Sequence, residues 1–324
     1  MKDYLLQTCV RLRLNYADMP FSALKDEAVA RRATEKVSDA LMGSGDSFAY
    51  FLPDSFQYET QRRLNEKGLL HPDTKGALHS VFYLRLDEKL SVQTALGDHA
   101  VIAAYDPKDP LTAYAAAEEV RSLLSEDQTV AKNREIGYLT AYPCHAGTGM
   151  TAHLTMHLPL LRLSRQADKA NAVLLAQHDA VLRPWGGDAK IPGGMYLLEN
   201  KSCIGKTPEE CIAGVMQAAK ILQSIEERFR CTAKEKNDET VYDPVWRALG
   251  VGKYARKMTV ADVRHLWSML TLGVSVDAFD ISEEVLDDLL ELAQGKTPGD
   301  QQADPQKSDI LRAQRVRFLL NGGN

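Results

Sequence analysis

The sequence predicts an α+β fold, an antiparallel or mixed sheet flanked by helices and followed by an all-helical C-terminal region. Alternating runs at Leu90 to Leu96 and His99 to Tyr105 flank a Gly97-Asp98 pair, the pattern of a hairpin turn. Helical stretches separate the strand-like runs without the regular alternation that a parallel sheet requires. Beyond Thr240 every periodic segment reads as helix.

Taken in order, Val10 to Leu14 alternates so that Val10, Leu12 and Leu14 share one face while Cys9, Arg11 and Arg13 share a basic one. Helices are predicted over Ser22 to Met42, Asp54 to Lys67 and Leu111 to Leu124, the last favoured by its alanines and Glu118-Glu119. Val81 to Leu86 is a further strand. Gly147-Thr148-Gly149 feeds another, Thr151 to Leu158, with Thr151, His153, Thr155 and His157 on its exposed parity. Arg183 to Gly194 (RPWGGDAKIPGG) reads as a mobile loop. Thr207-Pro208-Glu209-Glu210 combines an N-cap, proline at the first helical position and a capping-box glutamate, opening a helix to about Phe229.

The polar stretch Thr232 to Thr240 separates a domain of residues 1–233 from a helical one of residues 241–324. The second holds helices at Pro244 to Leu249, Thr259 to Leu272, Ser282 to Ala293 and Asp309 to Leu320, with an exposed connector at Gly295 to Lys307. Trp246, Leu249, Val263, Leu266, Trp267 and Leu270 exceed what so short a region can bury alone, which predicts a homodimer through these helices.

The 324 residues are 44% hydrophobic and 26% charged, with mean hydropathy -0.29, which excludes a disordered or fibrous chain. A formal charge of -5 and pI near 5.9 offer no surplus to neutralise phosphodiesters, so no nucleic-acid partner is expected. No apolar run reaches the roughly 20 residues of a membrane span, so no membrane partner is expected either. The N-terminus shows no signal-peptide pattern, and five cysteines without a CxxC pair fit reduced thiols, which makes the cytoplasm the expected location.

The densest polar segment is Asn133 to Leu163. His153 and His157 could bring nitrogen ligands to zinc near Cys144 and His145, yet nothing at a recognised spacing completes a set and no metal is assigned. Gly205-Lys206-Thr207 is not a phosphate-binding P-loop, because Asn200 stands where its first glycine is needed. No GxSxG turn or paired-carboxylate pattern is present.

GYLTAYPCHAGTGMTAHLTMHLPLL, from Gly137 to Leu161, resembles the GYLT-x-CPTN-x-GTG-x-RAS segment of the guanido (phosphagen) kinases. PGGMYLLENKSCIGKTPEE resembles their GG-x-Y-x-I-S-N stretch. Val10-Arg11-Leu12 with Asn15 and Pro20-Phe21 is similar to their N-terminal motif, and Gly97-Asp98-His99 to their acidic segment ending in Asp-His. Among them the bacterial protein arginine kinases are the nearest subgroup, since DPVWRALG and DVRHLWSMLTLGV resemble their helical C-terminal region. The resemblance implies an antiparallel sheet flanked by helices, a helical dimerisation domain, and transfer of the γ-phosphoryl group of Mg-ATP to a guanidinium.

That chemistry needs arginines around the triphosphate, a carboxylate base and a thiolate beside the guanidinium. The resemblance places the base glutamate at Gly97 and the reactive cysteine at Tyr142. It places phosphate-binding arginines at Cys9, Val101 and Thr151, and a nucleotide-contacting histidine at Gly68. Arg11 and Arg183 keep family arginines, Arg13 stands on the same face as Arg11, and Asp188 could stand near a loop glutamate. These departures predict a catalytically impaired pseudokinase that acts by binding, with Arg11, Arg13 and Arg183 carrying any Mg-ATP. The alternative is an active atypical kinase with Asp98 as base and Cys144 as thiol. A third reading is a phosphoarginine-binding adaptor, since Asp309 and Arg312 resemble the family's phosphoarginine pocket, with Ser308 in place of its first arginine and as N-cap. A protein partner carrying arginine or phosphoarginine follows from any of them.

Overall fold

In this computed structural model, residues 4–21, 26–45, 47–52, 55–56, 58–74, 77, 79–185, 193–295 and 305–322 are described. Their strands are β1 (Leu5–Leu14), β2 (Phe48–Phe51), β3 (Phe82–Arg85), β4 (Leu90–Thr94), β5 (Ala100–Asp106), β6 (Lys132–Asn133), β7 (Gly137–Tyr138), β8 (Met150–His157), β9 (Ala180–Pro184) and β10 (Met195–Asn200). Eight form one antiparallel sheet in the order β2-β3-β4-β5-β1-β8-β10-β9, and β6 pairs with β7. The predicted hairpin is present: β4 pairs with β5, Gln93 opposite Val101, and the Leu96 amide donates to the Asp98 carbonyl across the turn.

The helices are α1 (Glu27–Gly43), α2 (Tyr58–Glu66), α3 (Pro110–Leu123), α4 (Pro159–Leu163), α5 (Ala167–Gln177), α6 (Pro208–Lys236), α7 (Glu239–Tyr254), α8 (Val260–Ser275), α9 (Glu283–Ala293) and α10 (Pro305–Leu320). Asp26 caps α1 by accepting from the Ala28 and Val29 amides; the predicted start at Ser22 lies outside the described residues. The capping box of Thr207 and Glu210 opens α6 as predicted. That helix runs past Phe229 to Asn237, whose left-handed φ of 49° ends it, because Ala233 turns inward to the second core.

One core joins the even-numbered face of β1 (Val10, Leu12, Leu14) and Ile102, Ala152 and Leu154 to α1, α3 and α6 through Val37, Ala117 and Leu222. The second lies among α7, α8, α9 and α10 and includes Leu160 and Ala233. Val263, Leu266, Trp267 and Leu270 are buried in it, so four of the six side chains expected at a homodimer interface are consumed within one chain. Trp246, 51% exposed, is not.

Two more expectations are corrected. All eight residues of β8 are buried, so Thr151, His153, Thr155 and His157 do not face solvent. Arg183 belongs to strand β9 rather than to a loop, and residues 186–192 lie outside the described residues. The helical region is fastened to this side of the sheet: Arg264 pairs with Glu66 at 2.6 Å, and His157 Nε2 is 2.7 Å from the Ser268 hydroxyl. Among the described residues no helix is long and apolar enough to cross a membrane.

Candidate functional site

Strand pairing lays out the polar face of the sheet row by row. Arg13 stands opposite Val101, Arg11 opposite Ala103 and Thr151, and Cys9 opposite Tyr105 and His153, whose other neighbour is Glu199. A buried cation on such a face requires acceptors, and each arginine has them. Arg11 donates to the carbonyls of Gly68 at 2.8 Å and Leu70 at 3.2 Å. Arg13 donates to Thr151 Oγ1 at 2.8 Å and lies 3.8 Å from Asp98. Burial pulls the Arg13 guanidinium down to about 10, against the pull of Asp98 in the other direction.

Asp98 is 2% exposed and is held from two sides. Its Oδ1 accepts from Asn15 Nδ2 at 2.6 Å and from the Ala141 amide at 2.7 Å. Asn15 Oδ1 in turn accepts from the His99 amide at 2.9 Å. His99 Nδ1 accepts from the Tyr16 amide, which leaves Nε2 to donate to the Pro20 carbonyl at 2.9 Å. Phe21 meets the His99 ring edge-on. Asn15, Pro20, Phe21, Asp98 and His99, which stand in separate sequence motifs, thus form one cluster tying the end of β1 to the hairpin and to the loop at Ala141.

A cleft of about 300 Å³ opens above it, lined by Arg13, His71, Leu96, Asp98, Val101, Tyr142, Cys144 and His145. The fold therefore brings Arg13, Asp98 and Cys144 together. Arg11 is tied to the carbonyls beside them. Arg183 stands apart, 63% exposed, with its guanidinium 2.9 Å from Glu199. Asp188 lies outside the described residues.

Four of the departures from the family pattern meet in two pairs. Gly97 has a φ of +108°, a conformation strained for any other residue, and a Cβ placed there would lie 3.4 Å from the Tyr142 ring. Cys9 Sγ lies 3.4 Å from the Gly68 carbonyl, and a Cβ on Gly68 would come within 3.0 Å of the Cys9 Cβ. Thr151 accepts from Arg13, and Val101 is buried with Ala77 and Leu96.

Sequence reading missed His71 and Glu199. Glu199 alternates within the Met195–Asn200 strand, a cue hidden because that stretch was read only through its motif. Its Oε2 is 3.3 Å from His153 Nδ1. Burial and the neighbouring arginines push His71 down to about 2, His145 to about 3 and His153 to about 4, so the rings are neutral near pH 7. His157, turned toward Ser268 and packed at a tilt against Trp267, is also held down, to about 3, by burial. With His153 on Glu199 and His157 on Ser268, the two histidines do not converge on a metal. Among the described residues no three candidate ligands gather.

On α10, Arg312 Nη1 donates to Asp309 at 2.8 Å and to the Met258 carbonyl at 2.9 Å, and the side chain is almost wholly buried. Ser308 is not an N-cap, because α10 begins at Pro305. It is buried within the helix.

The eight-stranded antiparallel sheet with helices packed on it matches the phosphagen kinase fold. The solved structures it resembles include the duplicated taurocyamine kinase of Schistosoma mansoni, at a TM-score of 0.57 and 19% identity, covering 70% of this chain and 32% of that one. Lombricine kinase aligns at 0.58 and 16% identity over 71% of this chain and 68% of its own. At such identities the likeness concerns the fold. Residues 29–229 match the family model for the ATP:guanido phosphotransferase C-terminal catalytic domain, and the chain belongs to that family. It is similar along nearly its whole length to bacterial protein-arginine kinases. The Caldanaerobacter subterraneus protein is 26% identical over 99% of this chain and 98% of its own length, and the Halothermothrix orenii protein 27% over 99% and 94%.

Proposed function

We propose that this protein is a protein-arginine-kinase-like member of the family that has given up phosphoryl transfer and acts by binding. The observation that carries the reading is the pairing of its replacements: Gly97 faces Tyr142 and Cys9 faces Gly68. A side chain restored at Gly97 would meet the Tyr142 ring, and one restored at Gly68 would meet Cys9.

The family's reaction uses Mg-ATP, and the donors present here do not fit a triphosphate. Arg11 is spent on two carbonyls, Arg13 on Thr151 and Asp98, and Arg183 on Glu199. Each charge-assisted hydrogen bond to phosphate contributes about 1.5–3 kcal/mol, and one already made inside the protein must be broken to offer it. The alternative, an active atypical kinase, draws on Asp98 and Cys144 lining one cleft, but Asp98 Oδ1 already holds two donors. The internal pairing of Asp309 with Arg312 supports a structural role for α10 over a phosphoarginine pocket. Exposed Trp246, Val251 and Tyr254 on α7 support a homodimer through that helix.

The test is transfer from radiolabelled Mg-ATP to free arginine and to an arginine-rich protein. No transfer is expected. Transfer by the wild type that is lost in Cys144→Ser would overturn the reading in favour of the active alternative.

A further inference from the structure

A cavity of about 320 Å³ lies where the sheet and the helical region meet, and it shares no lining residue with the cleft at Asp98. Its size and its place between two parts of the chain are those of a small-molecule site. Leu6 of β1 and Leu160 of α4 line it from the sheet, and Trp267 of α8 with Leu286 and Leu290 of α9 from the helical region. Helix α9 turns a mixed face to it. Glu283, Leu286, Asp287 and Leu290 stand at i, i+3, i+4 and i+7, so two acids share the side of the leucines that line the cavity. The other apolar side of α9, Leu289, Leu292 and Ala293, is buried in the second core.

Glu283 favours the helix as an acid in its first turn, whereas Asp287, four residues on, only meets a like charge. Among the described residues the next acid, Asp288, pairs with Arg315, but neither Glu283 nor Asp287 has its side chain in an ion pair. The cations lining the same cavity are taken up elsewhere: Arg230 pairs with Glu227 and lies over the Tyr4 ring, and Lys108 is likewise engaged. Glu226 adds a third carboxyl to the lining, its oxygens accepting from the Leu160 and Leu161 amides at 2.6 and 2.8 Å. His157, bonded to Ser268 and kept neutral by burial, adds no charge.

We propose that this cavity binds an organic cation with an apolar body, its charged head between Glu283 and Asp287 and its body along Leu286, Leu290 and Trp267. The proposal goes beyond the functional reading above and does not depend on it. A cation between the two carboxylates relieves their mutual repulsion, which an anion would increase and a neutral head would leave in place. A bare metal ion does not suit the site, because its walls are apolar and no three candidate ligands gather among the described residues. Since β1, α4 and α6 supply one part of the lining and α8 and α9 the other, a ligand here also bridges the sheet and the helical region.

The experiment is calorimetric titration of the full chain with phenylbutylamine, which is protonated at neutral pH, beside phenylbutanol of the same shape and phenylbutyrate of opposite charge. The amine is expected to bind at least about tenfold more tightly than the alcohol, and the carboxylate more weakly than either. Asp287→Asn and Glu283→Gln should each weaken the amine about threefold and leave the alcohol unchanged, which also shows that the variants are folded. Leu286→Ala should weaken amine and alcohol alike. Because a ligand of the native state stabilises it by mass action, the amine should raise the melting temperature as well. No binding of the amine overturns the proposal. Equal affinity for amine and alcohol, tighter binding of the carboxylate, or amine binding that neither acidic substitution weakens would do the same. Phosphoryl transfer, on which the functional reading stands, is not read by any of these titrations.

Discussion

On the helix-covered face of the sheet Val10, Leu12, Leu14 and Leu154 are wholly buried, and on the opposite face Arg11, Arg13, Thr151 and His153 are buried nearly as well, each less than a tenth exposed. The first face closes by apolar contact, which is non-directional and tolerates changes of shape. The second closes by hydrogen bonds that each need a particular partner. The difference teaches why four of the departures from the family pattern come in two touching pairs and why Thr151 keeps a hydrogen bond to Arg13. On a polar face a residue cannot change alone, since its former partner would be left buried and unsatisfied.

The sharpest way to test that contrast acts on the whole polar face at once. His71, His145, His153 and His157 all have depressed folded-state pKa values, so below about pH 6.5 the unfolded chain binds more protons than the folded one. Their contribution to stability is present above that pH and is lost as pH falls toward about 3–4. Glu226 works in the opposite sense. Burial raises its carboxyl to about 7, so its contribution is full below about 4.5 and fades as pH rises through 7. His99 and His265 are held below the usual imidazole range by burial as well, so six groups against one should give a melting temperature that falls steadily from pH 6.5 to 4.5. A flat profile would mean that the rings are already charged in the fold.

Next in size is a single break on each face. Asp98→Ala removes the acceptor of Asn15 and of the Ala141 amide and leaves Arg13 without its counter-charge, and should cost about 3–5 kcal/mol in urea denaturation. Leu154→Ala, which leaves only a cavity, should cost about 2–5 kcal/mol. A loss below about 1 kcal/mol for Asp98→Ala would show that water satisfies this cluster. The smallest effect should come from Gly97→Glu, which places a side chain at a φ of +108° against the Tyr142 ring and should cost about 1–3 kcal/mol. Paired with Tyr142→Cys it should recover no phosphoryl transfer, because Arg11 and Arg13 stay engaged by the protein. Recovery would show that the two replacements alone silence the site.

Much of the fold was legible in the sequence. Alternation found β1, β4, β5 and β8, the Gly97-Asp98 turn fixed their hairpin, and the Thr207 box fixed the start of α6. Strands β9 and β10 were not, because they are short and were read as loop and motif. The alternation of β8 predicted a wet face, since periodicity reports which residues share a side but not what covers it. The same limit applies to the site. Family matching names Gly97, Tyr142, Cys9 and Gly68 one at a time, and a contact between Cys9 and Gly68, fifty-nine positions apart, has no local signature.

The strand order has one more consequence. The edges of the sheet are β2 and β9, of four and five residues, while the ten-residue β1 and eight-residue β8 sit inside. An outer strand offers unpaired amides and carbonyls to any other chain that can lie alongside it. Here the longest runs are paired on both sides, and β9 ends in Pro184, which has no amide hydrogen to donate. The chain thus keeps its longest β-forming segments away from edge-to-edge aggregation.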